Sequence, residues 1–561
     1  MSEHFDTLIR GGRLVDGTGA PARDADVAVR GGKIMAVGEV SGVADRVIDA
    51  DGRIVSPGFV DIHTHYDAQV FWDRMLTVSP WHGVTSVVVG NCGFGIAPTR
   101  PEHRDLILRT LENVEGMSLE SLHAGVGEQW PFETFAEFLD AVAARGTAIN
   151  FGALVGHTPV RMYVMGEEST EREATTDEIA QMKAIVSDAL AAGAIGFASS
   201  KSPTHVGYAG RPVPSREAST DEIMALASCL GEAGRGVMQA TAGIGLFLDE
   251  MEAINQANGC TVSWTALLAD LFGPEGHRDL LARHAEMQGR GVEVVPQVTC
   301  RPLTFEYQWK APFPFESMAL FKPVSQADFD GKKRIYADAE FRQALKNEKG
   351  MGVLGGSWEE TEVSECAAHP SLVGRSLADI AAERDAHPID VALDLGLESN
   401  LEARFRVVIA NKSEDAVAEL LSHPSVVLGL SDAGAHASQL CDACFSTHLL
   451  GYWVREKQVL TIEQAVRLLT SRSAEVFGIT DRGRLAEGLA ADIVVFDPDT
   501  VSCSPLRRVN DLPAGADRLI SDAEGIELVM VNGQVIRERG RDVVDPDGPL
   551  PGRVLRGGAS A

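Results

Sequence analysis

The sequence lacks basic residues in the numbers that nucleic-acid binding requires. Its 561 residues include 50 lysines and arginines against 80 aspartates and glutamates, which gives a formal net charge of −30. Contacts to a phosphate backbone need clustered lysine and arginine, and attachment to an anionic membrane needs a polybasic segment. We therefore expect neither a nucleic-acid partner nor electrostatic binding to a membrane.

Long apolar runs and a cysteine framework are also missing. No stretch approaches the roughly 18–20 consecutive apolar residues of a membrane span, and the N-terminal residues lack the basic-then-apolar layout of a signal peptide. The 8 cysteines are scattered through the chain, which does not fit a disulfide scaffold. With 45% hydrophobic and 23% charged residues the composition is that of a folded globular protein. These features together predict a cytoplasmic protein.

Both ends of the chain show the pattern of short β-strands. Near the N-terminus, residues 26–30 alternate between polar and apolar side chains and are followed by a glycine pair, which is typical of hairpins. Near the C-terminus, residues 492–496 and 528–531 show similar signals, and Asn532-Gly533 favours a type I′ turn. Strands from opposite ends can pair, so we predict one small discontinuous sheet domain. The turn-rich segment 546–561 is predicted to be a flexible tail.

The middle of the chain alternates strands with helices. Short apolar strands at residues 86–89, 194–197, 292–295 and 426–429 are separated by helical stretches. A βα repeat sustained over about 400 residues predicts either a parallel barrel or a doubly wound sheet. In a barrel, the chemistry lies just after the carboxyl ends of the strands.

Reactive side chains follow three of the predicted strands. His63 and His65 are two residues apart at a strand end, so their imidazoles face the same way and can bind one divalent ion. Cys92 follows the strand at 86–89 and offers a soft thiolate ligand. Asp432 ends another strand, where a carboxylate can ligate a metal and accept a proton from water. A buried structural cysteine and an Asx-turn or helix cap are the alternatives for Cys92 and Asp432.

Taken together, these motifs resemble the metal-dependent amidohydrolase superfamily, and more narrowly its N-acyl-D-amino-acid deacylase (D-aminoacylase) branch. The motifs that carry the resemblance are His63-Thr64-His65, Gly90-Asn91-Cys92-Gly93, Gly156-His157-Thr158, Ser431-Asp432 and the segments 193–197 and 463–494. The resemblance covers nearly the whole chain. It implies an α/β fold: a (β/α)8 TIM barrel at residues 58–479 and a small β-sandwich domain at residues 1–57 and 480–545.

The resemblance also implies an activity and a metal site. It implies that water activated by one or two zinc ions, or by another divalent metal, hydrolyses the C–N bond of an N-acyl D-amino acid or related N-acyl amide. His63 and His65 resemble ligands of one metal site, Cys92 resembles the thiolate of the tightly held zinc, and Asp432 resembles the catalytic acid/base. Two alternatives stay open: hydrolysis of a cyclic amide (an imide, hydantoin or lactam), and a degenerate barrel that binds a ligand without hydrolysis.

The sequence departs from the family pattern at two zinc ligands. Deacylases carry two further histidines after later strands, but the corresponding segments 237–241 and 262–265 contain none. His157 and His205 follow strands and are candidates for additional metal or substrate contacts. Gln239 offers an amide oxygen as a weak ligand. Lys201 lies near a strand end, and related amidohydrolases use a carboxylated lysine as a metal bridge.

An aromatic segment interrupts the βα rhythm at about residues 300–350. Its aromatic residues include Tyr307 and Trp309, and we predict a lid that binds an apolar acyl or aryl group. The alternatives are a loop anchored by its own aromatics and a subunit contact. A substrate carboxylate would be bound best by arginine, and the sequence offers four candidates without choosing among them: Arg161, Arg211, Arg216 and Arg301. The acidic net charge also keeps a neutral small-molecule amide open as the substrate, and self-association is expected by analogy with the fold alone.

Overall fold

The computed structural model describes residues 3–348 and 356–560, and the strands are numbered here in chain order. They are β1 (His4–Leu14), β2 (Arg23–Arg30), β3 (Lys33–Gly38), β4 (Val43–Asp49), β5 (Ile54–Pro57), β6 (Phe59–Asp61), β7 (Val84–Val89), β8 (Asn150–Gly156), β9 (Gly196–Ser200), β10 (Val237–Thr241), β11 (Val262–Thr265), β12 (Val294–Val298), β13 (Leu303–Gln308), β14 (Glu362–Glu365), β15 (Arg404–Ala410), β16 (Val427–Leu428), β17 (Ile493–Phe496), β18 (Ser502–Cys503), β19 (Arg507–Val509), β20 (Arg518–Ile520), β21 (Ala523–Glu524), β22 (Ile526–Val531), β23 (Gln534–Glu538), β24 (Arg541–Asp542), β25 (Leu555–Arg556) and β26 (Ala559–Ser560).

The α-helices lie mainly between the strands of the central part of the chain. They are α1 (Arg104–Glu115), α2 (Leu119–Val126), α3 (Phe135–Arg145), α4 (His157–Met165), α5 (Thr176–Ala192), α6 (Thr220–Ala233), α7 (Leu248–Asn258), α8 (Gly276–Gly289), α9 (Lys322–Gln326), α10 (Phe329–Ala337), α11 (Ala339–Asn347), α12 (Leu377–Arg384), α13 (Pro388–Glu398), α14 (Glu414–Ser422), α15 (Phe445–His448), α16 (Ile462–Leu469) and α17 (Ser471–Val476). Within residues 3–348 and 356–560, no helix combines the length and the apolar character that crossing a bilayer requires.

A closed barrel of parallel strands forms the centre of the molecule. Within the described residues, β6 to β12 and β16 make an 8-stranded sheet in which neighbours along the chain are neighbours in space. The two edges of this sheet meet, because Thr64 bridges Ala433 in parallel and the His65 backbone N–H donates to the Ala433 carbonyl at 2.7 Å. Strands such as β7 and β8 are buried along their whole length, as expected when helices cover the outer face. The predicted (β/α)8 TIM barrel is confirmed.

A second sheet contains strands from both ends of the chain. Among the residues that the structure describes, it has 9 strands in the order β24-β23-β22-β17-β5-β1-β2-β3, with β4 paired to β1. The two chain ends meet where β5 runs antiparallel to β17 and Val55 faces Val495. Asn532 and Gly533 have φ angles of 46° and 82°, as a type I′ turn between β22 and β23 requires. The small β domain is confirmed as part of the fold, and its bounds at residues 1–57 and 480–545 remain predictions.

A buried carboxylate fixes the second sheet against the barrel. Asp492, just before β17, accepts a hydrogen bond from Asn150 Nδ2 at 2.9 Å and from the Asn532 backbone N–H at 2.7 Å. Arg482 also donates to Asp492 and neutralises its charge. Asn150 begins barrel strand β8, whereas Asn532 lies in the β22–β23 turn. One buried network therefore joins the two units.

The insertion between β12 and β16 is longer than the predicted lid at about residues 300–350. It contains β13, β14 and β15, which pair antiparallel, and it continues to the end of β15 at Ala410. Residues 349–350 of the predicted lid lie outside the described residues. Tyr307 and Trp309 are 1% and 0% exposed and pack with other aromatic side chains in a separate core within the insertion. These two residues therefore hold the insertion together.

The segment after Asp545 is docked against the barrel, whereas its turn-rich composition predicted a flexible tail. The Gly552 backbone N–H donates to the Thr147 carbonyl at 2.8 Å, and Val554 bridges Phe151 of β8. Leu555 is buried in a cluster with barrel residues. Apolar burial and backbone pairing thus hold the described part of this segment, residues 546–560.

Candidate active site and metal centre

Four potential metal ligands converge at the carboxyl ends of three barrel strands. His63 and His65 follow β6, Cys92 follows β7 and Asp432 follows β16. The ligand atoms of His63, His65 and Cys92 all lie within 4.8 Å of one another. Asp432 Oδ1 is 3.2 Å from His63 Nε2 and 3.8 Å from His65 Nε2, and the Cys92 sulfur is 3.4 Å from His63 Nε2. The structure therefore brings these four predicted site residues together.

Two of the four residues have backbone angles that non-glycine residues rarely adopt. Cys92 has φ 57° and Asp432 has φ 45°, and such left-handed conformations persist only where the surroundings enforce them. The Cys92 backbone N–H donates to Gln239 Oε1 at 2.6 Å, and the Asp432 backbone N–H donates to the His63 carbonyl at 3.1 Å. Hydrogen bonds inside the barrel mouth thus hold the sulfur and the carboxylate in place.

The orientation of His63 is set by a buried amide. His63 Nδ1 donates to Gln297 Oε1 at 2.7 Å, and Gln297 is held in turn by its own bond to Ser263 Oγ at 3.1 Å. Because Nδ1 carries the proton, the lone pair of Nε2 faces Cys92 and Asp432. A metal-binding histidine is commonly oriented by such a partner on its other nitrogen. Sequence reasoning missed Gln297, which lies in an otherwise unremarkable apolar strand.

The surroundings of Cys92 favour loss of the proton from its thiol. Burial raises its pKa, but the neighbouring imidazoles of His63 and His65 outweigh burial and bring the pKa down to about 7. The thiolate is the form of cysteine that binds metals.

The donor set of this cluster fits a zinc-type ion. Two imidazole nitrogens, a thiolate sulfur and a carboxylate oxygen are all ordinary zinc ligands. The three donors His63, His65 and Cys92 are buried. Within residues 3–348 and 356–560, no other group of three histidine, cysteine or acidic side chains comes this close together.

Gln239 supports Cys92 and is not free to act as a ligand. Its side chain is fully buried, its carbonyl oxygen accepts from the Cys92 backbone, and its Nε2 donates to Thr265 Oγ1 at 3.3 Å. Segments 237–241 and 262–265 form β10 and β11, and they present Thr241 and Thr265 to the cavity at their carboxyl ends. The positions at which the family resemblance implies histidines therefore carry hydroxyl groups and an amide.

A cavity of about 620 Å³ opens above the cluster, and His63, His65, Cys92 and Asp432 form part of its wall. His205 also lines this cavity. It contacts Ser200 Oγ through Nδ1 at 2.7 Å, and burial is the main cause that lowers its pKa to about 3.

His436, which sequence reasoning did not assign, lines the same cavity. Its ring lies 5.1 Å from those of both Phe305 and Phe313. Its position four residues after Asp432 is the sequence feature that could have identified it as a site residue.

His157 and Arg161 lie in a buried ion cluster outside the cavity wall. Glu222 of α6 accepts from Arg161 Nη1 at 2.5 Å and lies 2.9 Å from His157 Nε2. The other ring nitrogen of His157 contacts Ser199 Oγ at 2.8 Å. All three charged or titratable side chains are fully buried. The Arg161 guanidinium is therefore committed to Glu222 and does not face a substrate.

Lys201 and Arg301 also form hydrogen bonds to groups outside the cavity. The Lys201 ammonium donates to the carbonyls of Arg216 and Ala218 at 2.6 and 2.7 Å, which anchors the loop before α6. Arg301 Nε donates to the buried carboxylate of Asp442 at 2.6 Å. The structure thus does not place Lys201, Arg301, Tyr307 or Trp309 in the cavity wall.

We expect Glu222→Gln to lower the free energy of unfolding by about 3–5 kcal/mol, because it leaves the buried Arg161 without its counter-charge. Burial raises the pKa of Glu222, but His157 and Arg161 outweigh burial and hold it below its ordinary value of 4.5. The ionised carboxylate therefore stabilises the fold above pH 4.5, and this contribution is lost as the pH falls below that value. Denaturant titration at several pH values measures both effects.

The matched control for this prediction is Glu232→Gln on the same helix. Glu232 is exposed and pairs with Lys183 at the surface, where such pairs contribute about 0–1 kcal/mol. Equal destabilisation by the two substitutions would contradict the assigned role of Glu222.

We expect Gln297→Leu to weaken metal binding by about 10–100-fold, the usual cost of losing the partner that orients a metal-binding histidine. The leucine removes the acceptor for His63 Nδ1 and frees the ring to turn. Metal affinity is measured by competition with a chromogenic chelator. Gln308→Leu serves as the control, because Gln308 is buried in the insertion and bonds to Glu402. Unchanged affinity in Gln297→Leu would contradict the orienting role.

The chain is similar to known proteins over nearly its whole length. A model described as the amidohydrolase family matches residues 46–537. An N-acyl-D-glutamate deacylase from Alcaligenes xylosoxydans xylosoxydans is 31% identical, and the alignment covers 100% of this chain and 98% of that protein. A D-aminoacylase from the same organism is 30% identical, covering 95% of this chain and 94% of the relative. A crystal structure of N-acyl-D-glutamate deacylase from Bordetella bronchiseptica, complexed with zinc and a phosphonate inhibitor that mimics the tetrahedral intermediate, matches with a TM-score of 0.68 and 28% identity over 99% of this chain and 100% of that chain.

Proposed function

Because the chain belongs to the amidohydrolase family, we propose that it is a metal-dependent hydrolase that cleaves the C–N bond of a small N-acyl amide, the reaction class of the N-acyl-D-amino-acid deacylases. The observation that carries this proposal is the cluster of His63, His65 and Cys92 with the Asp432 carboxylate 3.2 Å from His63, at the wall of a 620 Å³ cavity. The cavity is large enough for a small-molecule amide.

The residues that would hold the metal are His63, His65, Cys92 and Asp432. When bound, a zinc ion supplies a Lewis acid that polarises the amide carbonyl and makes water nucleophilic near neutral pH. The zinc and the phosphonate mimic of the reaction intermediate in the Bordetella bronchiseptica deacylase support this choice.

Asp432 moves the proton. Its side chain is 17% exposed, on the cavity side of the buried His63 and His65. The carboxylate accepts a proton from the attacking water and delivers it to the amide nitrogen as the C–N bond breaks. The products are a carboxylic acid and an amine. The hydrogen bond from the Asp432 backbone N–H to the His63 carbonyl holds this residue in position, and the hydrogen bond that His63 Nδ1 donates to Gln297 Oε1 keeps the His63 ring oriented.

A substrate panel combined with metal analysis tests this proposal. The purified protein is assayed for bound zinc, manganese and iron, and for release of amine from N-acyl D- and L-amino acids, aryl amides and cyclic amides. Bound or recoverable metal with hydrolysis of linear amides is expected. Hydrolysis of cyclic amides alone would favour the ring-opening alternative, and absence of both metal and hydrolysis would favour a binding protein.

A further inference from the structure

The wall of the cavity is apolar on the side away from the metal ligands. Phe247 and Phe272 come from the loops after β10 and β11, with ring centres 6.1 Å apart. Phe305 and Phe313, from the insertion, contribute a second aromatic pair at 5.6 Å. Such walls bind apolar groups by removing them from water.

The mouth of the cavity is apolar as well. Ile244, Leu271 and Phe272 line it, and they are 93%, 38% and 40% exposed. Exposed large apolar side chains grouped at the rim of a cleft mark a site for an apolar ligand. The apolar surface therefore continues from the rim towards the metal ligands.

Within residues 3–348 and 356–560, no lysine or arginine lines this cavity. The nearby cations are bound elsewhere: Lys201 to two backbone carbonyls, Arg161 to Glu222, and Arg216 to the His205 carbonyl at 3.0 Å. The bidentate arginine contact that best binds a carboxylate is thus missing from the described wall. Hydroxyl groups such as those of Thr241 and Thr265 line the cavity, but a hydrogen bond from a neutral hydroxyl offsets the lost hydration of a carboxylate less than a cation does.

The charge of the whole chain does not favour an anionic substrate either. The net charge of −30 repels anions at long range. Neither the described wall of the cavity nor the net charge therefore attracts a substrate carboxylate.

We propose that this site takes a neutral N-acyl amide with apolar groups on both sides of the scissile bond, in contrast to the N-acyl-D-glutamate for which one relative is named. The inference rests on the proposed function and narrows its substrate class. Water adds to the carbonyl carbon, the C–N bond breaks, the acyl group leaves as a carboxylic acid, and the nitrogen gains the proton from water and leaves as an amine.

Two compounds that differ only in one carboxylate test the inference: N-phenylacetyl-D-phenylalanine and N-(2-phenylethyl)phenylacetamide. We expect kcat/KM to be about 100-fold or more higher for the neutral amide, because the other compound must bury a charge without a cationic partner. Isothermal titration calorimetry with metal-free protein gives a second readout that does not depend on turnover. In that titration the neutral amide should bind at least about 10-fold more tightly than the carboxylate compound.

The outcomes separate this inference from the proposed function. Hydrolysis with preference for the carboxylate compound would overturn the substrate class and leave amide hydrolysis standing. Preferential binding of the neutral amide without hydrolysis of either compound would support the ligand class and contradict the proposed function. Absence of binding of both compounds would overturn the inference.

A charge introduced at the rim provides a reciprocal test. In Phe272→Arg, kcat/KM for the carboxylate compound should rise about 10-fold relative to the neutral amide, because a cation is now available. Phe329→Arg is the matched control, since Phe329 is 41% exposed and does not line the cavity. An unchanged ratio in Phe272→Arg, or an equal change in the control, would contradict charge as the basis of selection.

Discussion

Asp432→Asn is expected to lower kcat for amide hydrolysis by about 10²–10⁴-fold, the range that general acid–base catalysis contributes. The asparagine keeps the shape of the side chain and one oxygen, but it cannot accept a proton from water. His63, His65 and Cys92 remain within 4.8 Å of one another, so the metal content should change little. Steady-state kinetics and metal per protein by mass spectrometry measure the two quantities on the same preparation.

The control for Asp432→Asn is Asp249→Asn, which changes an exposed carboxylate paired with Arg283 on the protein surface. The kcat and the metal content of this variant should equal those of the unmodified protein. Full activity in Asp432→Asn would remove Asp432 from the catalytic step. Complete loss of metal in that variant would instead make Asp432 an essential ligand and would leave its role as proton acceptor without support.

Cys92→Ser is expected to weaken zinc binding by more than about 100-fold, beyond the cost of losing a partner that merely orients a ligand. The hydroxyl of serine stays protonated at neutral pH, whereas the pKa of the Cys92 thiol is about 7. The substitution therefore removes the only sulfur donor of the cluster within the described residues. Amide hydrolysis should fall with metal occupancy and recover in part at high zinc concentration.

Cys260→Ser is the matched control, because Cys260 is buried and lies outside the cluster. Circular dichroism checks that both variants fold. Equal zinc affinity in Cys92→Ser and the unmodified protein would contradict the assignment of Cys92 as a ligand.

The part of the site that could be predicted from the sequence is the part that local patterns encode. His63 and His65 are two residues apart just after β6, and Cys92 and Asp432 come a few residues after β7 and β16. Because the carboxyl ends of parallel strands meet at one end of a barrel, such positions converge whatever the details of packing. The βα rhythm alone left a parallel barrel and a doubly wound sheet open, and the family resemblance selected the barrel.

Partners that are distant along the chain could not be predicted in this way. Arg161 was a candidate for a substrate carboxylate, but α6 places Glu222 against it, and the pairing depends on how two helices pack. Trp309 was a candidate lid residue, but its indole N–H donates to the carbonyl of Ala392 within the insertion. The sequence left open whether these aromatic side chains bind a substrate, anchor the segment itself or form a subunit contact.

The pairing of β5 with β17 has a consequence for synthesis on the ribosome. Pro57 faces Ile493 across this pair, so β5 has an open edge until the C-terminal strands emerge. At the usual rate of about 5–20 residues per second, that interval lasts roughly 20–90 seconds. Asp492, which ties the sheet to β8, emerges equally late. The nascent chain therefore carries an unpaired strand edge through most of its translation, and a transcript truncated before β17 would yield a protein prone to edge-to-edge aggregation.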